Sequence, residues 1–185
     1  RKVRAAARQI GYRPNRAGVR LRTGKTNVIA LLLSTEHEVM NHTARLISAV
    51  AGGFRDTPYH MIITPYFPDE DPMDPVRYVV ETRSADAVIL NQTQPSDPRV
   101  AYLMKHRFPF ATHGRTKWAD RHAYFDFDNT AYGDVATRAL IDRGRRNLLL
   151  IAPPMSQNYA ANMRDGMMAL SARAGVSATV LSGAT

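Results

Sequence analysis

Polar side chains that could bind a ligand follow five of the short apolar runs in this 185-residue sequence. Amide, carboxylate and guanidinium groups hydrogen-bond hydroxyl groups, and aromatic rings cover the apolar faces of sugars, so the set suits a polyhydroxylated ligand. The alternative is that several of these residues only cap helices, as Asn129 and Asn158 could. The clusters occupy residues 34–36, 91–93, 113–115, 126–129 and 157–159. The candidate binding residues within them are Asn91, His113, Arg115, Asp128 and Tyr159.

The sequence lacks the motifs of common catalytic and cofactor sites. It contains no Gly-x-Gly-x-x-Gly or Walker loop for a nucleotide, no HExxH pair for zinc and no GxSxG turn for a nucleophilic serine. It has no cysteine, which excludes thiolate metal sites and disulfides. Residues 69–74 are acidic but broken by proline, so an exposed loop is favoured over a calcium site. We therefore predict neither a catalytic site nor a metal or cofactor.

Positive charge is concentrated at the start of the chain. The net charge is +9, from 25 Lys and Arg against 16 Asp and Glu. Residues 1–25 hold nine of the basic side chains and no acidic one, which leaves the rest of the chain electrically neutral. A cationic arm of this kind gains free energy from counterion release when it binds a polyanion such as DNA. The alternative is a solvated tail that binds nothing.

The arm also has the pattern of two short helices. An apolar stripe with helical spacing spans residues 3–10, and Gly11 follows where a helix often stops. Pro14 disfavours helix at the residue before it. Asn15 is a good N-cap for a second segment over residues 16–22. That segment is too short and too polar to be a stable helix alone in water.

From Lys25 onward, short apolar runs alternate with helical patterns, which is typical of βαβ units in a parallel sheet. The sequence therefore predicts an α/β fold. Because the last predicted strand ends four residues before Thr185, we expect the chain to be a fragment of a longer protein. The predicted strands cover residues 28–33, 60–64, 87–90, 108–112, 124–127, 148–152 and 178–181. One predicted helix has an apolar stripe formed by Tyr132, Val135, Ala136, Ala139 and Leu140.

Several segments resemble the LacI/GalR family of bacterial transcriptional regulators. One is the stretch AARQIGYRPNRAGVRLRTGKTNVIALLL, which is similar to the family's junction of headpiece, hinge helix and first core strand. Others are SADAVIL, HRFPFATHGR and FDFDNTAYGDVATRALIDRGRRNLLLIAPP. The resemblance covers nearly the whole chain. It implies a periplasmic-binding-protein-like core, with a parallel sheet and flanking helices, preceded by a short helical hinge that binds DNA.

The resemblance also implies a division of the chain. Residues 1–24 correspond to the end of the helix-turn-helix headpiece and the hinge helix. Residues 25–147 correspond to the N-terminal subdomain of the effector-binding core, and residues 148–185 to the start of a truncated C-terminal subdomain. Leu21 matches the hinge leucine that family members insert into the minor groove, and the neighbouring arginines are expected to contact phosphates. The implied DNA-binding residues are Asn15, Arg16, Arg20, Leu21 and Arg22.

Effector residues follow from the same resemblance. Asp128 matches a carboxylate that contacts ligand hydroxyls in sugar-responsive members, and Arg115 matches a basic residue near the cleft. Arg164 lies one position beyond the family's arginine, where this chain has Met163. In the hinge, Gly18 replaces the usual alanine, which weakens the helix by up to ~1 kcal/mol.

We therefore expect a cytoplasmic, homodimeric transcriptional repressor that binds operator DNA and responds to a sugar or sugar derivative. The alternative is a transport-type sugar-binding protein of the same fold that does not bind DNA. The lack of a secretory signal in the sequence and the acid-free arm disfavour that alternative. An enzyme is the third possibility, and it would need a catalytic constellation that the sequence does not show.

Overall fold

The computed structural model describes residues 2–12, 15–35 and 40–182. Two short helices come first, α1 (Lys2–Gln9) and α2 (Arg16–Thr23). Each is followed by a glycine with a φ of 68°, Gly11 and Gly24, a left-handed conformation that ends a helix without steric cost. The two helices predicted in the arm are therefore present.

The rest of the described chain alternates strands with helices. The elements are β1 (Val28–Ser34), α3 (Met40–Gly53), β2 (His60–Tyr66), α4 (Asp74–Thr82), β3 (Ala87–Leu90), α5 (Pro98–Lys105), β4 (Phe110–His113), a 3-10 turn (Ala119–Arg121), β5 (Ala123–Phe125), α6 (Asn129–Ile141), β6 (Asn147–Ala152), α7 (Asn158–Ala174) and β7 (Ser177–Ser182).

The first five strands form one sheet in the order β2-β1-β3-β4-β5, and every neighbouring pair is parallel. Strands β6 and β7 form a second parallel pair. All seven predicted strands are present, and the predicted α/β fold with a parallel sheet is confirmed. β1 lies inside the sheet between β2 and β3 and is largely buried, which explains its uninterrupted apolar sequence.

The main core lies where α4 and α5 pack on the middle of the sheet. Its side chains are aliphatic, and most of them are fully buried. The core residues are Ala30, Leu32, Val76, Val79, Ala85, Val88, Leu90, Val100 and Leu103.

Strand β4 begins two residues later than predicted, at Phe110. The reason is local, because the N–H of Phe108 still donates to the carbonyl of Leu103 at 3.0 Å and so closes the turn that follows α5. Pro109 then contributes its carbonyl to the N–H of Val88 at 3.1 Å. The apolar run therefore contains the end of one turn as well as a strand.

Asp86 fastens the linker between α2 and β1 to the start of β3. Its carboxylate accepts hydrogen bonds from the N–H and hydroxyl groups of Thr26 and from the N–H of Asn27, each at 2.8 Å. Burial acts to raise the pKa of Asp86, but these hydrogen bonds and the Lys25 charge outweigh it, so the pKa lies below its ordinary value. The linker is thus held to the sheet edge by an ionised carboxylate.

Helices α6 and α7 cross with their backbones in close approach. A Cβ atom at Gly133 would collide with the carbonyl of Met163, and one at Gly166 would collide with the carbonyl of Thr130. Gly133 and Thr137 therefore form the buried face of α6. The apolar stripe predicted for this helix is not that face, since Tyr132 is 66% exposed and Val135 is 65% exposed.

The predicted boundary between the N-terminal and C-terminal subdomains, after residue 147, stays a prediction.

Within the described ranges, no helix combines the length and apolar character needed to cross a bilayer.

The glycine crossing predicts a position-specific cost of adding one methyl group. Gly133→Ala or Gly166→Ala should lower the free energy of unfolding by about 1–3 kcal/mol, because the new Cβ atom forces the two backbones apart. Urea denaturation of the full-length protein measures the change. Gly52→Ala in α3 is the matched control, since space is open there and alanine favours helix by up to ~1 kcal/mol. Equal effects at all three positions would contradict the close crossing.

Candidate functional site

A cleft of about 1010 Å³ opens at the C-terminal edge of the five-stranded sheet. The loops that follow β3, β4 and β5 form one wall, and the first turns of α6 and α7 form the other. Ligands of open α/β folds bind at this edge. Four of the predicted binding residues line the cleft, namely Asn91, His113, Asp128 and Tyr159.

Asn91 and His113 form a polar pair in the cleft. Asn91 is 8% exposed, and its side-chain oxygen accepts a hydrogen bond from Nδ1 of His113 at 3.1 Å. The His113 ring also stacks on the Phe125 ring and meets the Phe127 ring edge to face, and in both pairs the ring centroids are 6.2 Å apart. These contacts fix the orientation of the imidazole, so the pair presents a defined polar surface beside aromatic rings.

Asp128 performs the capping role and still lines the cleft. Its Oδ1 atom accepts from the N–H of Ala131 at 2.9 Å and so caps α6. A carboxylate has a second oxygen with its own lone pairs, and this leaves capacity for a ligand hydroxyl. Helix capping and ligand binding are therefore compatible roles for Asp128.

Arg115 is not among the residues that line the cleft. Its N–H and Nε groups both donate to Oδ2 of Asp126, at 3.1 and 3.0 Å. Asp126 does line the cleft, and Nδ2 of Asn129 donates to its other oxygen at 3.3 Å. Arg115 thus orients a carboxylate at the cleft, a role that the sequence did not reveal.

The loop after β4 is tied to both neighbouring elements through the carbonyl of Arg115. That oxygen accepts from the Thr93 hydroxyl at 2.9 Å and from Nδ2 of Asn158 at 2.8 Å. Asn158 is the first residue of α7 and joins this helix to the loop after β4. The N-cap of α7 is Gln157. Gly114 has a φ of 119° and lies against the Thr93 hydroxyl, where a Cβ atom would collide. These contacts join the β3 loop, the β4 loop and α7 at the cleft.

A buried ion pair supports the loop that follows β3. Asp97 is 0% exposed and Arg99 is 4% exposed, and Nη2 of Arg99 lies 2.7 Å from Oδ2 of Asp97. The same guanidinium donates to the carbonyls of Asn91 and Gln92 and to the Tyr66 hydroxyl, at 3.2, 2.9 and 3.0 Å. Burial acts to lower the pKa of Arg99, but the hydrogen bonds and charge of Asp97 outweigh it and raise the pKa. Sequence reasoning missed this pair, although the helix start Asp97-Pro98-Arg99 was visible.

The predicted residues of α7 fall in different places. Tyr159 lines the cleft, whereas Arg164 lies outside its lining and pairs with its neighbour Asp165 at 2.6 Å. Met163 occupies the cleft wall instead.

Helix α2 lies at the opposite edge of the sheet, where the strands begin. Leu21 is 89% exposed on this helix, and Asn15 and Arg22 are also exposed. Nη2 of Arg20 donates to the carbonyls of Thr82 and Arg83 at the end of α4, at 3.1 and 3.0 Å. The side chain of Arg16 lies outside the described part of the chain.

Residues 59–184 match the family described as periplasmic binding proteins and sugar binding domain of LacI family. Over 169 residues the chain is 36% identical to the HTH-type transcriptional regulator RafR of Escherichia coli, covering 90% of this chain and 50% of RafR. Over 178 residues it is 30% identical to the HTH-type transcriptional regulator AglR of Rhizobium meliloti, covering 95% of this chain and 50% of AglR. The chain therefore spans half the length of these relatives.

Among solved structures, the fold is similar to that of the transcriptional regulator CelR in complex with cellobiose. The TM-score is 0.75 at 22% sequence identity, and the match covers 98% of this chain and 55% of CelR. At this identity the similarity concerns the fold, and it confirms the predicted periplasmic-binding-protein-like architecture.

The buried ion pair predicts a large loss of stability when its cation is removed. Arg99→Met should lower the free energy of unfolding by about 3–5 kcal/mol, because the Asp97 carboxyl group is left buried without its partner. Chemical denaturation of the full-length protein at neutral pH measures this loss. The control is Arg77→Met, whose partners Asp71 and Asp74 are exposed and which should change stability little. Similar small effects for both variants would show that the pair does not support the loop.

Proposed function

This chain belongs to the LacI/GalR family, and from that premise we propose that the full-length protein is a dimeric transcriptional repressor that binds operator DNA. A small carbohydrate-like effector in the cleft controls its affinity for DNA. The observation that supports this most directly is Leu21, an exposed leucine that stands between two arginines on a short helix fastened to the core. Because the protein acts on chromosomal DNA, the proposal includes a cytoplasmic location and no catalytic role.

Helix α2 supplies the groups that a minor-groove contact needs. An apolar side chain such as Leu21 can enter between base steps and unstack them, which bends the duplex. Arg22 and Asn15 would contact phosphates of the DNA backbone and so set the register of the protein on the duplex. A helix of eight residues is marginal alone in water, so packing against a second copy on DNA would stabilise it. A homodimer follows from this requirement.

The cleft supplies the groups that a carbohydrate needs. Asn91, His113 and Asp128 provide amide, imidazole and carboxylate groups for ring hydroxyls. Phe127 and Tyr132 line the same cleft and are largely exposed, which suits stacking against the apolar face of a sugar ring. The side chains that line the cleft are therefore the basis for proposing a carbohydrate-like effector.

Contacts between the hinge and the core would transmit the switch. Arg20 holds α2 to the end of α4, and Asp86 holds the linker to the start of β3. An effector that favours one arrangement of the core shifts these anchor points in the dimer and so changes the spacing of the two hinge helices. Coupling of this kind is typically worth ~1–3 kcal/mol between the two binding sites.

The DNA-binding proposal predicts a specific defect for Leu21→Ala. Affinity for a palindromic duplex, selected in vitro from a random library with the wild-type protein, should fall roughly tenfold or more because the wedge is lost. Circular dichroism should show helix gained by the wild type on adding that duplex. Leu140→Ala, at a half-exposed leucine of α6, is the control and should leave affinity unchanged. Unchanged affinity for Leu21→Ala, together with no helix gain, would refute the hinge account.

The effector proposal predicts that Asp128→Asn separates capping from ligand binding. Asparagine caps helices as well as aspartate, so thermal stability should be nearly unchanged. Binding of the sugar that gives the largest thermal shift, from a panel of mono- and disaccharides, sugar alcohols and purines, should weaken about tenfold because a hydrogen bond to a charged group is lost. Asp142→Asn at the other end of α6 is the matched control. Wild-type affinity in both variants would exclude Asp128 from the site.

A further inference from the structure

Exposed cations form a row along the N-terminal edge of the five-stranded sheet. Because all five strands are parallel, the loops that precede them lie at one edge. Each of these loops carries at least one exposed basic residue. In the order of the strands across the sheet, the row consists of Arg55, Lys25, Arg83, Lys105, Arg107 and Arg121.

The row is only partly neutralised by the protein itself, since Lys25 acts electrostatically on the Asp86 carboxylate. The ion pairs found among the described residues use other cations, such as Arg77, Arg99 and Arg138, and none involves a member of the row. The carboxylates nearest to it in sequence are Asp56, Glu81, Asp86 and Asp120, four against the six cations of the row. The Asp86 carboxylate already accepts three hydrogen bonds from the linker. A positive field therefore faces the solvent at this edge.

Two members of the row converge on one hollow. Arg107 and Arg121 both line a depression of about 380 Å³, together with Phe108, Phe110 and His122. Arg107 is held there by the turn after α5, where it has a φ of 51° and its N–H donates to the carbonyl of Met104 at 3.1 Å. Two guanidinium groups beside one concave surface suit a phosphate, which accepts paired hydrogen bonds from arginine.

The hinge leaves the core at this same edge. Arg20 anchors α2 to the carbonyl of Arg83, which is itself a member of the row. Adjacent strands are ~4.8 Å apart, so the row extends for roughly 19 Å across five strands, the length of about five or six base pairs. A duplex held by α2 would therefore pass close to a cationic surface of comparable length.

We propose that this row is a second DNA-binding surface, through which the core binds backbone phosphates of the duplex beside the hinge contact. The inference rests on the proposed DNA-binding function and adds a sequence-independent contact to it. Phosphate binding is electrostatic, so the row contributes affinity and salt dependence without contributing base specificity.

The test compares two triple variants of the full-length protein. Lys105→Gln/Arg107→Gln/Arg121→Gln removes three cations from the row. Arg143→Gln/Arg145→Gln/Arg146→Gln removes the same charge from exposed positions between α6 and β6, outside the loops that precede these five strands. Affinity is measured against salt concentration for the selected palindrome, with short and with long random flanks. Thermal melting establishes that both variants are folded.

The expected result is a difference confined to the row variant. On the long duplex, the slope of log K against log salt should become shallower by up to about 2–3, because each lost phosphate contact removes about 0.9 from it. Wild-type slope and affinity in the row variant would overturn the proposal while leaving the repressor function standing. If the wild type bound no duplex at any flank length, the proposed function itself would fail, which is a separate outcome. An equal loss of slope in both variants would indicate a general charge effect and would also overturn the proposal.

Discussion

The parallel direction of all five strands in the main sheet is the constraint on which the functional layout depends. Every strand begins at one edge and ends at the other, so the loops before the strands and the loops after them cannot mix. The linker, Arg20 and the cationic row lie at the first edge, whereas Asn91, His113 and the cleft lie at the second. Under the proposed function, the sheet keeps the candidate DNA-binding and effector-binding surfaces at separate edges.

Strand β3 connects the linker at one edge directly to the cleft at the other. It has only four residues, or roughly 13 Å at ~3.3 Å per residue. Asp86, which holds the linker, directly precedes it, and Asn91, which pairs with His113 in the cleft, directly follows it. Val88 and Leu90 are fully buried, so the strand is fixed in the core between those two residues. A change in the position of Asn91 would therefore be transmitted to the linker along a rigid segment.

Most of the fold could be predicted from the sequence, but the contacts around the cleft could not. Apolar runs separated by helical spacing indicate strands and helices, because burial depends on residue type along the chain. The buried face of α6 was missed because Gly133 is buried by close backbone approach, which has no hydrophobic signal. The ion pair of Asp97 and Arg99 was missed because charged residues are normally exposed, and only the fold shows that this pair lies beneath the β3 loop. The predicted role of Arg115 in effector binding stays a prediction, because its contact with Asp126 depends on three-dimensional structure.

The glycine crossing determines what a ligand in the cleft would move. Asp128 caps α6 and also faces the cleft, so a ligand held by its second oxygen would be attached to the first turn of that helix. Helix α6 in turn lies in backbone contact with α7, which leaves little space for the two helices to slide independently. Under the proposed function, the pair would therefore shift as one unit relative to the five-stranded sheet. The polar contacts among Thr93, Arg115 and Asn158, which join that sheet to α7, are then the ones that must rearrange when the cleft closes.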